Sequence, residues 1–198
     1  MNHHSTLSAQ EANQHPAGSR FACADLFGVP IVEQDDIVLT PEPVAQAIVE
    51  RFKPSGRILD PCKGDGAFLK FMAGADWCEA REGRNFYDWT TPVDWIVSNP
   101  PYSIFSDFLR HSFTVADNIV YLIPVNKAFN SYQMMLDVAE FGGIETIFTI
   151  GYGRSPLLGF PIGFCCGAVH YKKGYTGGTK IEFYSPNAKA LSSERSGD

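Results

Sequence analysis

Residues 56–69 read GRILDPCKGDGAFL, the pattern of a short buried strand, a glycine-rich turn and the beginning of an apolar helix. Such a turn lets a ligand approach the bare backbone and points helix N–H groups at it. A dinucleotide-binding turn would need a third glycine where Leu69 stands, and a phosphate-binding P-loop would need Gly-Lys-Ser/Thr, which is absent. An acidic residue, Asp60, stands at the strand end. The turn therefore favours a positively charged ligand without phosphate over NAD or ATP.

A second informative stretch, Asn99-Pro100-Pro101-Tyr102, follows the apolar run at residues 94–98. Two consecutive prolines remove two backbone donors and fix two φ angles, so the loop is stiff. It suits a planar group that carries an NH2: the Asn99 oxygen and the Pro100 carbonyl accept from the amine, and Tyr102 stacks on the plane. The simpler alternative is a strand that ends in a proline turn.

With the segment Thr40-Pro41-Glu42-Pro43-Val44, these motifs resemble the class I S-adenosylmethionine-dependent methyltransferases. Within that class they are similar to the amino-methyltransferases with an Asn/Asp-Pro-Pro-Tyr/Phe signature, among them the N6-adenine-specific DNA methyltransferases. Residues 60–66 resemble the family's cofactor loop, Asp-Pro-x-x-Gly-x-Gly, and residues 99–102 its catalytic loop. The resemblance covers roughly residues 35–175. Glutamine-N5 and guanine-N2 methyltransferases share the Asn-Pro-Pro loop, so the acceptor stays open.

The resemblance implies S-adenosylmethionine as the cofactor. An acid after the second strand binds the ribose hydroxyls in this family; Glu79 is the candidate, with Glu82 as the substitute or a plain surface carboxylate as the alternative. Asn85 and Phe86 match loosely the residues that hold the cofactor adenine, although a core Phe is an equal alternative. The residues assigned to the cofactor are Thr40, Asp60, Pro61, Gly64, Gly66, Glu79, Asn85, Phe86 and Asn99.

The same resemblance gives the catalytic residues as Asn99, Pro100, Pro101 and Tyr102. Tyr102 is the candidate surface on which the acceptor base stacks, and Phe129 or Phe160 is the candidate for the opposite side of that stack. Lys127 and Arg154 are candidates for contact with a phosphate. The implied partner is nucleic acid, first of all DNA with an unpaired or flipped adenine. RNA bases, a protein glutamine, or a methyltransferase-like binding subunit without activity remain alternatives.

Composition restricts the class of protein. The chain has 198 residues, 44% of them apolar, which predicts one domain at residues 21–188 between flexible tails at 1–20 and 189–198. It has no apolar run of membrane-spanning length and no signal-peptide pattern. Five cysteines without a CxxC pair indicate a reduced, cytoplasmic protein with no metal site. The net charge of −6 argues against a broad basic surface, so any nucleic-acid contact is local.

Hydrophobic periodicity predicts strands alternating with helices. The predicted strands are 57–60, 76–79, 84–88, 95–98, 118–123 and 145–150, followed by a hairpin of 164–171 with 180–184. One predicted helix begins at Thr40, and three more cover 67–72, 103–113 and 131–141. This order predicts a three-layer α/β sheet, mostly parallel with a C-terminal antiparallel hairpin, and the resemblance makes it a Rossmann-like class I methyltransferase sheet.

Ligands in such sheets bind at the carboxyl ends of the strands, so Asp60, Glu79, Asn99 and Asn126 are expected on one rim. Two features depart from the family pattern. The span from Gly66 to Asp94 is short, which predicts reduced helices around the second and third strands. The residues between the fifth strand and the final hairpin leave no room for a separate target-recognition domain.

Overall fold

The computed structural model describes residues 39–152 and 165–184. The predicted domain limits at residues 20 and 188 lie outside these ranges. The described helices and strands, in chain order, are α1 (Glu42–Phe52), β1 (Ile58–Asp60), β2 (Asp76–Trp77), β3 (Val93–Ser98), α2 (Phe105–Val115), β4 (Ala116–Pro124), α3 (Tyr132–Phe141), β5 (Gly142–Tyr152), β6 (Cys165–Lys173) and β7 (Lys180–Phe183). Short 3-10 helices cover Ala80–Glu82, Phe86–Asp88 and Val125–Ala128.

The strands form one seven-stranded sheet in the order β2-β1-β3-β4-β6-β5-β7. Strand β6 runs antiparallel to both of its neighbours, β4 and β5, and the other pairs are parallel. The predicted fold class, a mostly parallel α/β sheet with an antiparallel C-terminal component, is confirmed.

The predicted pairing of residues 164–171 with 180–184 is wrong, because β5 lies between these two strands. Strand β5 buries Ile147, Phe148 and Ile150, whereas Ile181 and Phe183 of β7 are exposed. The more apolar strand therefore takes the inner position, and β7 forms the edge of the sheet.

Helices cover both faces of the sheet, which gives the predicted three layers. Helix α1 buries Val44, Ile48 and Phe52 against one face, and α2 and α3 pack on the other. Helix α1 ends at Phe52, and its C-cap, Lys53, has a left-handed φ of 47°. Thr40, the predicted beginning of this helix, precedes the N-cap, which is Pro41.

Two local predictions are wrong. Residues 67–72 form successive turns with i→i+3 bonds, such as Phe71 N to Phe68 O, rather than a helix. Left-handed Gly66 and Gly74 bracket this segment and leave too few residues for a stable helix. In place of the predicted strand at 84–88, Arg84 makes an isolated antiparallel bridge with Glu79, and Phe86–Asp88 form a 3-10 turn. Asn85 Oδ1 accepts from Tyr87 N, which offers the backbone an alternative to sheet pairing.

The parallel strands β1, β3 and β4 bring their carboxyl ends to one edge of the sheet. The glycine turn follows β1 there, and the Asn99 loop follows β3. This edge therefore carries both motifs that the sequence singles out. Among the described residues, every helix is too short or too polar to cross a membrane.

Candidate active site

A cavity of about 500 Å³ opens at this edge, between the glycine turn and the Asn99 loop. The predicted site residues that line it are Thr40, Gly64, Glu79, Asn99, Pro100, Pro101 and Tyr102. They come from three motifs that are far apart in sequence and, for Glu79, from the segment after β2. The fold thus brings the predicted cofactor loop, the Thr-Pro segment and the predicted catalytic loop around one space.

Asp60 lies beneath the glycine turn rather than in the cavity wall, and it is completely buried. Its Oδ1 accepts a 2.7 Å hydrogen bond from Ser98 Oγ and a 3.3 Å bond from Cys62 N. Its Oδ2 has no hydrogen-bond partner among the described residues. Burial, opposed by these two bonds, raises the pKa of Asp60 to about 7. Near neutral pH this carboxyl therefore gains or loses a proton easily.

Glu79 reaches across to the glycine turn. Its Oε2 accepts from Gly64 N at 3.0 Å, and its Oε1 accepts from Arg81 N at 3.3 Å, which caps the 3-10 helix at Ala80–Glu82. The alternative acid, Glu82, forms an ion pair of 2.8 Å with Lys63. Of the two acids, Glu79 is the one whose carboxylate lies against the turn backbone.

The end of β2 is fastened to the turn by backbone bonds. Cys78 N donates to Asp60 O at 2.8 Å, and Lys63 N donates to Cys78 O at 3.0 Å. The Trp77 ring makes cation–π contacts with two residues. Lys63 Nζ lies 4.0 Å and Arg84 Cζ lies 3.9 Å from the ring centroid. These contacts hold Glu79 in position although β2 has only two residues.

The Asn99 loop is packed firmly. Asn99 is 9% exposed and Pro100 is buried, while Pro101 and Tyr102 are half-buried. Lys127 Nζ donates to Tyr102 O at 3.2 Å, which ties the loop to the segment after β4. Tyr102 lines both the large cavity and a smaller groove on its other side.

Other predicted site residues lie elsewhere. Pro61 and Gly66 belong to the turn but not to the cavity wall. Phe86 is 2% exposed and packs on Phe108 and His111, with centroids 4.7 and 4.6 Å away, and Asn85 caps its own 3-10 turn. The structure therefore does not bring the predicted adenine contacts to the cavity.

On the acceptor side, Phe129 is 47% exposed and lies outside the cavity wall, and exposed Asn126 does not line it either. Lys127 lines the smaller groove. Arg154 and Phe160 fall outside the described residues. Of the predicted substrate contacts, Tyr102 and Lys127 are thus the two that the structure places beside a cavity.

Sequence reasoning missed two kinds of wall residue and one residue behind the wall. Ala80 and Arg81 lie at the end beyond Glu79, next to the alternative acid Glu82, where the sequence offers only a short polar run after β2. Leu39 and Phe68 contribute apolar surface. Ser98, the support of Asp60, directly precedes Asn99, and a hydroxyl at the end of a buried strand was a usable signal. In residues 39–152 and 165–184, no three His, Cys, Asp or Glu side chains come together as metal ligands.

Two solved structures show the fold. One is a candidate class I S-adenosylmethionine-dependent methyltransferase from Listeria monocytogenes, with a TM-score of 0.55 at 13% identity over 83% of this chain and 72% of that chain. Another is the modification subunit of a candidate type I restriction enzyme from Vibrio vulnificus, with a TM-score of 0.53 at 14% identity over 77% of this chain and 48% of that chain. No family model and no curated protein matches the sequence. The chain has the Rossmann-like fold of the class I methyltransferases.

Proposed function

We propose that this chain transfers a methyl group from S-adenosylmethionine to an exocyclic amine, with N6 of adenine in DNA as the first choice of acceptor. The observation that carries the proposal is the meeting of Asn99 and Tyr102 with Glu79 and Gly64 around one cavity. The restriction-enzyme modification subunit among the similar folds supports a nucleic-acid acceptor.

The cavity fits the cofactor in size and in chemistry. Its volume of about 500 Å³ lies in the usual range for small-ligand sites. The Glu79 carboxylate suits a ribose diol, since a carboxylate accepts two hydrogen bonds. Gly64 presents bare backbone beside it. Asp60 lies below the turn and outside the cavity wall, so it supports the turn rather than contacting the ligand.

The bound cofactor supplies a methyl carbon made electrophilic by the adjacent sulfonium. The chain's own residues prepare the amine. Asn99 Oδ1 and the Pro100 carbonyl each accept a hydrogen bond from one N–H group of the amine. These two bonds draw the nitrogen toward tetrahedral geometry and localise its lone pair. The proline-fixed loop holds these acceptors in place before the amine arrives, so little reorganisation is needed.

No strong general base is needed, because the amine proton becomes acidic only once the nitrogen carries a fourth substituent. The Asn99 side chain is an amide and cannot act as a general base. Tyr102 offers a ring on which the planar acceptor stacks. A base in an unpaired strand reaches this site more cheaply, by about a few kcal/mol, than one that must be flipped out of a duplex.

RNA bases and protein glutamine present the same planar NH2 and stay as alternative acceptors. A binding subunit without activity is the alternative from another class. The intact Asp60 turn and the intact Asn99 loop favour the enzyme over that alternative.

Calorimetry with S-adenosylmethionine separates an enzyme from an inactive subunit. We expect binding by the wild type, weakened about tenfold or more in Glu79→Gln because a charge-assisted acceptor is lost. Glu140→Gln, an exposed change on α3, is the matched control and should bind normally. Absence of binding by the wild type would contradict the proposal.

Mass-resolved transfer of a labelled methyl group to single-stranded DNA, duplex DNA, RNA and a glutamine peptide then identifies the acceptor. We expect single-stranded DNA to be methylated fastest. Transfer to RNA or peptide without transfer to DNA would replace the first choice of acceptor.

A further inference from the structure

A second groove, of about 300 Å³, adjoins the candidate active site. It shares Tyr102 with the large cavity and lies between the beginning of α2 and the segment after β4. Most of its wall is polar, and it contains one ammonium group. The polar wall residues on which the inference depends are Lys127, Asn130 and Ser131.

We propose that this groove binds a backbone phosphate of a single-stranded nucleic acid, next to the base that presents its amine to Asn99. The inference rests on the proposed function and names its substrate class. The opposite end of the large cavity, at Glu79 and Gly64, belongs to the cofactor in that proposal. The rest of the molecule that carries the amine then extends out of the cavity beside Tyr102, where the groove begins.

Lys127 is the cation that makes the groove suitable for an anion. Lys127 is half-buried as a residue, and its ammonium donates to a neutral acceptor, the Tyr102 carbonyl. Among the described residues, no carboxylate lies within ion-pair distance of Lys127, whereas Lys63, Lys70, Lys172 and Lys173 each pair with an acid. A half-buried positive charge without a counter-charge favours an anionic ligand.

The acidic residue of the groove does not cancel this charge. Asp107 is strongly exposed, and its carboxylate is engaged by Arg110 Nη1 at 3.0 Å. Arg110 also pairs with Asp137 at 2.6 Å, so the acid and its cation form a separate surface cluster. The Ser131 hydroxyl, which accepts from Met134 N and keeps its own proton to donate, and the Asn130 amide supply further donors for phosphate oxygens.

Exposed aromatic residues indicate a single strand rather than a duplex or a peptide. Phe129 and Tyr132 are 47% and 79% exposed and alternate in sequence with the groove residues Lys127, Asn130 and Ser131. Unpaired bases stack on such rings, while a duplex would need the broad basic surface that a net charge of −6 does not provide. A neutral peptide would leave the Lys127 charge uncompensated.

The test measures the affinity of a fluorescent single-stranded oligodeoxynucleotide, containing one adenine, over a range of KCl concentrations. We expect Lys127→Gln to weaken binding about tenfold and to lower the slope of log K against log salt by about 0.7, because one phosphate contact is lost. Gln still offers a donor to the Tyr102 carbonyl, so the change removes the charge and keeps the bond type. Lys127→Arg should retain both the affinity and the slope.

Lys180→Gln is the matched control, since Lys180 is an exposed cation at the amino end of β7, the far edge strand of the sheet. It should behave as the wild type. A neutral methylphosphonate beside the adenine should weaken wild-type binding about as much as Lys127→Gln does, with no further loss when the two changes are combined. Wild-type affinity and salt slope in Lys127→Gln, or preferred binding of a glutamine peptide, would overturn the inference.

This binding assay does not depend on methyl transfer. Failure to bind S-adenosylmethionine would refute the proposed function while the effect of Lys127→Gln on the oligonucleotide still supports the groove. Methylation of free adenosine as fast as of the oligonucleotide, with no effect of Lys127→Gln, would refute the groove and leave the proposed function standing.

Discussion

Ser98 Oγ donates a 2.7 Å hydrogen bond to Oδ1 of Asp60, and this buried contact joins the ends of two neighbouring parallel strands. The glycine turn continues from Asp60, and the Asn99 loop continues from Ser98. Residues 38 positions apart in sequence thereby fix the two halves of the candidate site relative to each other. Because this carboxyl is completely buried, its protonation also makes stability depend on pH.

Asp60 should make the protein less stable as the pH rises from 4 to 8. Its folded pKa, raised to about 7 by burial, exceeds the ordinary value of 3.8, so the folded state keeps a proton that the unfolded state loses. The stabilisation is complete below pH 3.8 and is lost as the pH passes 7, with a total of a few kcal/mol. Urea unfolding of the wild type and of Asp60→Asn at pH 5 and pH 8 measures the difference.

Between pH 5 and pH 8 the wild type should lose stability relative to Asp60→Asn. His170, whose pKa burial lowers to about 4, contributes a slope of opposite sign below pH 6.5 in both proteins and cancels in the comparison. Asp65→Asn, in the exposed part of the same turn, is the control and should keep the wild-type slope. Equal slopes for wild type and Asp60→Asn would show that Asp60 is ionised throughout.

Gly64 and Gly66 should respond differently to replacement by alanine. Both have left-handed φ values, 54° and 84°, so each alanine costs about 1–2 kcal/mol of stability through backbone strain. Only Gly64 lines the cavity, where an added methyl would stand 3.8 Å from Leu39 Cδ2. Thermal unfolding should show similar losses, while calorimetry should show weaker S-adenosylmethionine binding for Gly64→Ala alone.

The glycine pair also separates steric from conformational effects. If Gly66→Ala weakens binding as much as Gly64→Ala does, the turn acts through its conformation and not through its open surface. The proposed approach of the ligand to Gly64 would then be incorrect.

Asn99→Ala should abolish methyl transfer and leave S-adenosylmethionine affinity nearly unchanged. The amide oxygen is proposed to act on the acceptor amine, so its loss removes stabilisation of the transition state rather than binding of the cofactor. Asn99→Asp keeps an acceptor oxygen and should retain part of the rate. Single-turnover rates at saturating cofactor make the comparison, and a fully active Asn99→Ala protein would refute the proposed role.

The sequence was sufficient where local chemistry is strong. The buried strands, α1, and the convergence of Gly64 and Asn99 at one edge all follow from periodicity and from the rule that ligands bind at strand ends. The order of β5 and β7 did not follow, because it depends on the relative burial of Phe148 and Phe183, which only the assembled sheet decides.

The cofactor's adenine side was predicted least well. In the sequence alone, Phe86 suits either an adenine contact or a core position. Its packing against Phe108 shows that it is a core residue. The wall at Ala80 and Arg81 arises from a two-residue strand and a 3-10 turn, elements too short to produce a periodic signal. Side-chain support, such as the bond between Ser98 and Asp60, likewise depends on strand register.

Tyr121 and Tyr171, both buried in the core, should give opposite results when replaced by phenylalanine. The Ser112 hydroxyl donates to Phe108 O at 2.7 Å, so its 2.6 Å contact with Tyr121 is donated by the tyrosine. Tyr121→Phe should therefore cost about 1 kcal/mol of unfolding free energy. Tyr171 is equally buried, but its hydroxyl has no hydrogen-bond partner among the described residues, and burial raises its pKa.

Tyr171→Phe removes a buried polar group that gains nothing in the folded state, so it should be neutral or stabilising by about 1 kcal/mol. Urea unfolding at one pH measures both variants against the wild type, and the shape of the ring is the same in each. A loss of stability in Tyr171→Phe equal to that in Tyr121→Phe would mean that the Tyr171 hydroxyl is satisfied in solution, by water or by residues outside 39–152 and 165–184.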